Sequence, residues 1–151
     1  MYTKHNVFTE MEMHSRDEIH MENYCKVMNI EALTMLDMAK KQIIPAVMKY
    51  IKELSETAAS AKLLDANIDV EKELVSKISG LVSELYDGIG ALEFAVSESH
   101  KLTEHYALML FIRDEIIPTM NAVRLVADEL ESLVGEEYWP FPTYSELLFN
   151  V

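Results

Sequence analysis

The side chains of this 151-residue chain that could do chemistry are five histidines, one cysteine and twenty-six acids. Asp17 and His20 stand one helical turn apart, and His14, Glu18 and Glu22 share a face. Carboxylate and imidazole at that spacing are what a di-metal helical bundle uses. Such a bundle needs Glu-x-x-His on two helices and a lone Glu on two more. No second helix answers Asp17 and His20, so Glu10, Glu12, Asp17, Glu18 and Glu22 read as a solvated acidic face. His5, His14, His20, His100 and His105 include no pair spaced i, i+4, the spacing that puts two imidazoles on one helix face. There is no glycine-rich phosphate loop and no Ser or Cys at a strained elbow beside a His. Cys25 lies among apolar helical residues, with no helix start beside it to favour the thiolate, and reads as a packing thiol. The residues assign no catalytic, cofactor or metal position.

The elements that would carry these side chains are helical. No Gly occurs between Met1 and Gly80 and no Pro before Pro45, while Leu, Met, Ala, Glu and Lys dominate. Those residues lose least on entering a helix. A long run from about His14 to Leu64 is the organising stretch. Thr9 followed by Glu10 and Glu12, or Ser15 followed by Glu18, could cap it. On a helical wheel Met28, Ala32, Met35, Leu36 and Ala39 share one side. Val27, Ile30 and Leu33 fall near the polar side, so this helix needs cover on more than one flank. Glu31 projects between Met35 and Met38. It is either a boundary carboxylate met by a Lys or Arg, or a buried one that pins a neighbouring segment.

Apolar spacing continues in phase through Pro45, which predicts a kink and not a stop. Leu64 to Ile68 make the first turn, and Asp69 is the expected cap of a second helix. Its stripe is Val70, Leu74, Ile78, Leu81, Leu85, Ile89, Leu92 and Val96. Gly80, Gly88 and Gly90 within it suggest close backbone packing. This helix should end near Ser97 to His100. A third starts near Lys101, with Leu102, His105 or Tyr106, Met109, Ile112, Ile116, Met120, Val123, Ala127, Leu130 and Val134 as its stripe. Ile116-Ile117-Pro118 echoes Ile43-Ile44-Pro45, and Gly135 suits the C′ position. The fold class is therefore all-α: an antiparallel up-down-up bundle of three long helices, the first and third kinked at Pro45 and Pro118, with a short C-terminal aromatic and helical tail.

Composition narrows the functions. A formal net charge of −13 opposes binding to nucleic-acid phosphates or to anionic membranes. The polar start Met1-Tyr2-Thr3-Lys4-His5-Asn6 precedes no apolar signal region, and the longest apolar runs are too short to span a bilayer. With a single cysteine, these features place the chain in the cytoplasm. The end, Tyr138-Trp139-Pro140-Phe141-Pro142-Thr143-Tyr144, is rigid and aromatic, and continues to Leu147, Leu148 and Phe149. Its apolar side chains either fold back on the bundle or dock on another body.

Two stretches go beyond composition. One comprises Asn6-Val7-Phe8-Thr9, His14-Ser15-Arg16-Asp17-Glu18-Ile19, Glu22-Asn23-Tyr24 and Asn29 through Ala39, leading to Ile44-Pro45-Ala46. The other runs from Pro118-Thr119-Met120-Asn121-Ala122-Val123-Arg124 through Ala127-Asp128-Glu129-Leu130-Glu131 to Trp139-Pro140-Phe141-Pro142-Thr143-Tyr144 and Phe149. Together they resemble the C-terminal region of type III glutamine synthetases, the long bacterial form. The resemblance is weakest between about Ile51 and His100.

The resemblance implies a piece of a longer enzyme that makes glutamine from glutamate, ammonia and ATP with divalent metal such as Mg. Those ligands would belong to an upstream β-rich domain, so none is carried onto this chain. Residues 1–13 would be a lead-in from that missing catalytic domain, 14–135 the bundle and 136–151 a docking tail. The expected partners are the chain's own catalytic domain and neighbouring subunits of a homo-oligomer, with no nucleic acid and no membrane. Glu31, Met35, Met38, Trp139, Phe141, Tyr144 and Phe149 are the expected docking residues. The alternative is a free-standing helical protein–protein interaction module.

Overall fold

A computed structural model describes residues 8–142 and 147–148. All regular structure among them is helical, in three runs. The first run is α1 (Glu10–Met38), a π-helical segment (Ala39–Ile43) and α2 (Ile44–Leu63). The second is α3 (Asp69–Ser99). The third is α4 (His105–Phe111), a π-helical segment (Ile112–Ile116) and α5 (Ile117–Leu133).

Thr9, the first of the two candidate caps, starts α1. Its hydroxyl accepts from the Glu12 amide at 3.2 Å, and the Glu12 carboxylate accepts from the Thr9 amide at 2.8 Å. This reciprocal pair satisfies two donors that the helix start would otherwise leave orphaned. With Thr9 as the cap, helix begins at Glu10, within residues 1–13.

Neither proline ends its run. Each sits at the second position of a new α-helix, directly after a π-helical segment. Proline has no N–H and its ring crowds the carbonyl four residues back. The wider turn just ahead shifts the bonding: Ile44 donates to Ala39 and Ile117 to Ile112, each five residues back. Helix therefore continues through both prolines.

Three boundary details differ from the sequence expectation. Ile68, not Asp69, is the N-cap of α3, and the Asp69 amide donates to the Asn67 side chain at 3.0 Å. Asn67, two residues ahead, thus takes the acceptor role expected of Asp69. The third run begins at His105 and not near Lys101, because the chain turns through bonds from Lys101 to Glu98 and Leu102 to Ser99. Gly135 does not adopt a left-handed conformation. Instead its carbonyl accepts from the Tyr138 and Trp139 amides at 2.9 and 3.2 Å, turning the chain back.

The core follows the apolar stripes. Ile78, Leu85, Ile89 and Leu92 of α3 are buried to 1% exposure or less, and meet Val47, Ile112, Ile116 and Leu130 in one cluster. Each such side chain contributes about 1.5–3 kcal/mol by leaving water. Val70 departs from its stripe and is exposed. Of the three glycines in α3, only Gly88 is closely approached: a Cβ there would meet Val123. Gly80 and Gly90 face open space, so close packing does not account for them.

Candidate functional site

The first and third runs enclose a groove of about 560 Å³. One wall comes from α1, where Glu31, Met35 and Met38 recur at the i, i+4, i+7 spacing of one helix face. The other wall comes from the third run, where Met120, Arg124, Ala127 and Glu131 recur in the same way. The end is closed by Trp139 and Phe141, whose rings stand edge to face with centroids 6.3 Å apart. Five of the seven expected docking residues, Glu31, Met35, Met38, Trp139 and Phe141, therefore line one cavity. Tyr144 and Phe149 lie outside the described residues. The third-run wall was missed in the sequence, although its regular spacing was there to be read.

The tail up to Pro142 folds back on the bundle. Tyr138, Trp139 and Phe141 are partly buried against the core. Tyr138 meets Tyr50 with ring centroids 5.3 Å apart, and both rings flank Gly135. Further on, Leu147 and Leu148 are exposed.

Among the described residues Glu31 is exposed and is not buried against a neighbouring segment of this chain. It is one of the residues that line the groove. No Lys or Arg among the described residues lies within ion-pair distance of it. The nearby cation, Arg124, is directed to Asp128, with Nε 3.6 Å from Oδ2. Val27, Ile30 and Leu33 are 42%, 62% and 47% exposed, so the flank of α1 that called for cover is bare in the described residues.

The groups singled out for chemistry lie elsewhere. Cys25 is buried, its thiol directed to the His105 carbonyl at 3.9 Å, and burial pushes its pKa up. It borders a second cavity of about 270 Å³ with Asn29, Ser99 and His105. The Asn29 Oδ1 is buried there without a hydrogen-bond partner among the described residues. His14 pairs with Glu18 at 3.4 Å, and Glu22 with Lys26 at 2.6 Å, which holds the Glu22 carboxyl below its ordinary range. Among the described residues no three His, Cys, Asp or Glu side chains form a group that could hold a metal ion. No helix among them is long and apolar enough to cross a membrane.

Residues 1–62 match the family model described as the glutamine synthetase C-terminal domain. Over 153 residues the chain is 31% identical to a glutamine synthetase of Butyrivibrio fibrisolvens, covering 100% of this chain and 22% of the relative. It is 27% identical over 155 residues to a type-3 glutamine synthetase of Dictyostelium discoideum, covering 99% and 21%. A glutamine synthetase of Bacteroides fragilis (strain YCH46) is 30% identical over 154 residues, covering 95% and 21%. The chain thus spans about a fifth of the length of the curated relatives it matches.

Proposed function

We propose that this chain, whose first 62 residues match the model of the glutamine synthetase C-terminal domain, is the structural and assembly domain of an ATP-dependent glutamate–ammonia ligase. On this reading it is non-catalytic by itself and works in the cytoplasm. The carrying observation is the match itself: this chain is covered almost end to end, while most of each relative lies outside the match. The nucleotide and Mg²⁺ that the family implies would be held in that remainder. The donor set on the described residues does not fit them, since it includes no group of three metal-ligating side chains.

The groove walls and the tail are the surfaces this reading assigns to docking: Glu31, Met35, Met38, Trp139 and Phe141, extended by Tyr144 and Phe149. They would meet the catalytic body or a neighbouring subunit of a homo-oligomer. Bare Ile30 and Leu33 beside the groove support it, because exposed contiguous apolar surface commonly marks an interface. The division into a lead-in at 1–13, a bundle at 14–135 and a docking tail at 136–151 belongs to the same proposal.

So does an up-down-up course of the three runs. Cys25 contacts His105 at the start of the third run and Tyr50 contacts Tyr138 just past its end, which supports first and third runs that rise together. Gly88 faces Val123 while Lys77 pairs with Glu129 at 2.9 Å, so numbering falls along α3 as it rises along α5. The π-helical segments ahead of Pro45 and Pro118 support a bend at each.

The purified chain supplied with glutamate, ammonia, ATP and Mg²⁺ is the direct test. No glutamine formation is expected; turnover above background would refute the non-catalytic assignment.

A further inference from the structure

We infer that the groove between the first and third runs receives a basic amphipathic helix, its apolar stripe on the methionines and its lysines or arginines on Glu31 and Glu131. This rests on the docking reading above and adds the chemistry of the partner. Three observations carry it. The first is the floor: Met35, Met38 and Met120 are unbranched thioether side chains that adapt to irregular apolar partners, and Trp139 closes the end as an aromatic anchor. Two helices bounding an apolar trough make the setting in which a third helix lays down its apolar face.

The second observation is charge. Glu31, Asp128 and Glu131 stand on the groove, and its one cation among the described residues, Arg124, is engaged by Asp128. Among the described residues Glu31 and Glu131 have no cation within ion-pair distance. An acidic rim around an apolar floor fits a partner with basic flanks, and a lysine set on either carboxylate would give register as well as attraction. The third is continuity, since Ile30 lines the groove and leads onto Leu33 along the bare flank of α1. A second copy fits worse. It would bring two chains of charge −13 together with like-charged rims.

Trp139 is the sole tryptophan, so its fluorescence reports the groove directly. The full chain is titrated with a synthetic helical peptide of leucine and lysine, leucines at three/four spacing. Two controls are used: the same peptide with glutamate for lysine, and the lysine peptide shuffled to destroy the stripe. Saturable blue-shifted emission with the first peptide only is expected. Binding should weaken at least tenfold in the Glu31→Gln/Glu131→Gln double variant, whose substitutions keep shape at an exposed and a half-buried position. Equal binding of the shuffled peptide would reduce the effect to bulk charge and overturn the proposal, as would equal binding of the glutamate peptide. Self-association in sedimentation that blocks the peptide would give the groove to a second copy. Binding that appears only after removal of residues 143–151 would give it to the chain's own end. The assembly reading stands or falls separately, on whether the longer synthetase assembles without this domain.

Discussion

Val123 Cγ2 lies 3.2 Å from the point where a Cβ on Gly88 would stand. That distance is tighter than ordinary contact, and Val123 is itself buried and β-branched, with little freedom to swing aside. Gly90, half a turn on, has nothing within 4 Å of its Cβ position. Alanine relieves the helix of about 1 kcal/mol at either site, all else equal. Gly90→Ala should therefore raise Tm by about 2–4 °C. Gly88→Ala should give no rise or a fall, because the α3–α5 contact must open. Thermal melts of the two variants check this, and an equal rise in both would show that Gly88 is not needed for the close approach.

The reciprocal cap at Thr9 makes α1 acid-sensitive at its first turn. Hydrogen bonds from the Thr9 amide and hydroxyl hold the Glu12 carboxyl below its ordinary range. A carboxyl depressed in the folded state adds stability above its unfolded pKa, about 4.3, and that contribution is lost as pH falls through the lower folded value. Amide protection at Glu12 and Met13 should accordingly be constant from pH 7 to 5 and decline on further acidification. Thr9→Ala removes the hydroxyl but keeps the amide that donates to Glu12, so it should weaken the pH dependence without abolishing it and cost the helix start about 1 kcal/mol. Protection factors from hydrogen exchange, corrected for intrinsic rates, measure both effects.

The stripes were legible because burial repeats with the helix: Ile78, Leu85, Ile89 and Leu92 were named from spacing and are all buried. The π-helical segments were not, because a proline announces a lost hydrogen bond without saying how the backbone redistributes it. Asp69 was read as the cap from its residue type, but its amide is met by Asn67, in a turn that passes through Asp65 at φ of 54°, and that path was not legible in the sequence. For Glu31 the wheel left a boundary and a buried carboxylate both open, and the chain's own fold leaves it exposed. The groove was legible in pieces. Met35 and Met38 were chosen for an uncovered flank and Trp139 and Phe141 for an odd tail. No local pattern joins residues a hundred positions apart, and the long-range fold that does so also supplies the missed wall at Met120, Arg124 and Ala127.

Truncation after Glu137 separates what the tail does for the bundle from what it does for a partner. Tyr138, Trp139 and Phe141 are partly buried on the core, and Tyr138 lies against Tyr50. Their loss uncovers apolar area but removes none of the α3 stripe. The truncated chain should keep its helical circular dichroism while losing about 3 kcal/mol of stability, from three aromatic side chains each only partly removed from water. That corresponds to a fall in Tm of about 10 °C. Trp139→Ala alone should cost a smaller share, because Tyr138 still closes over Gly135 and Tyr50. If the chain belongs to a longer synthetase, as proposed, both changes remove one end of the groove there, and both should shift its oligomers toward smaller species in sedimentation. If the truncated synthetase sediments and turns over like the intact enzyme, the tail serves the bundle alone.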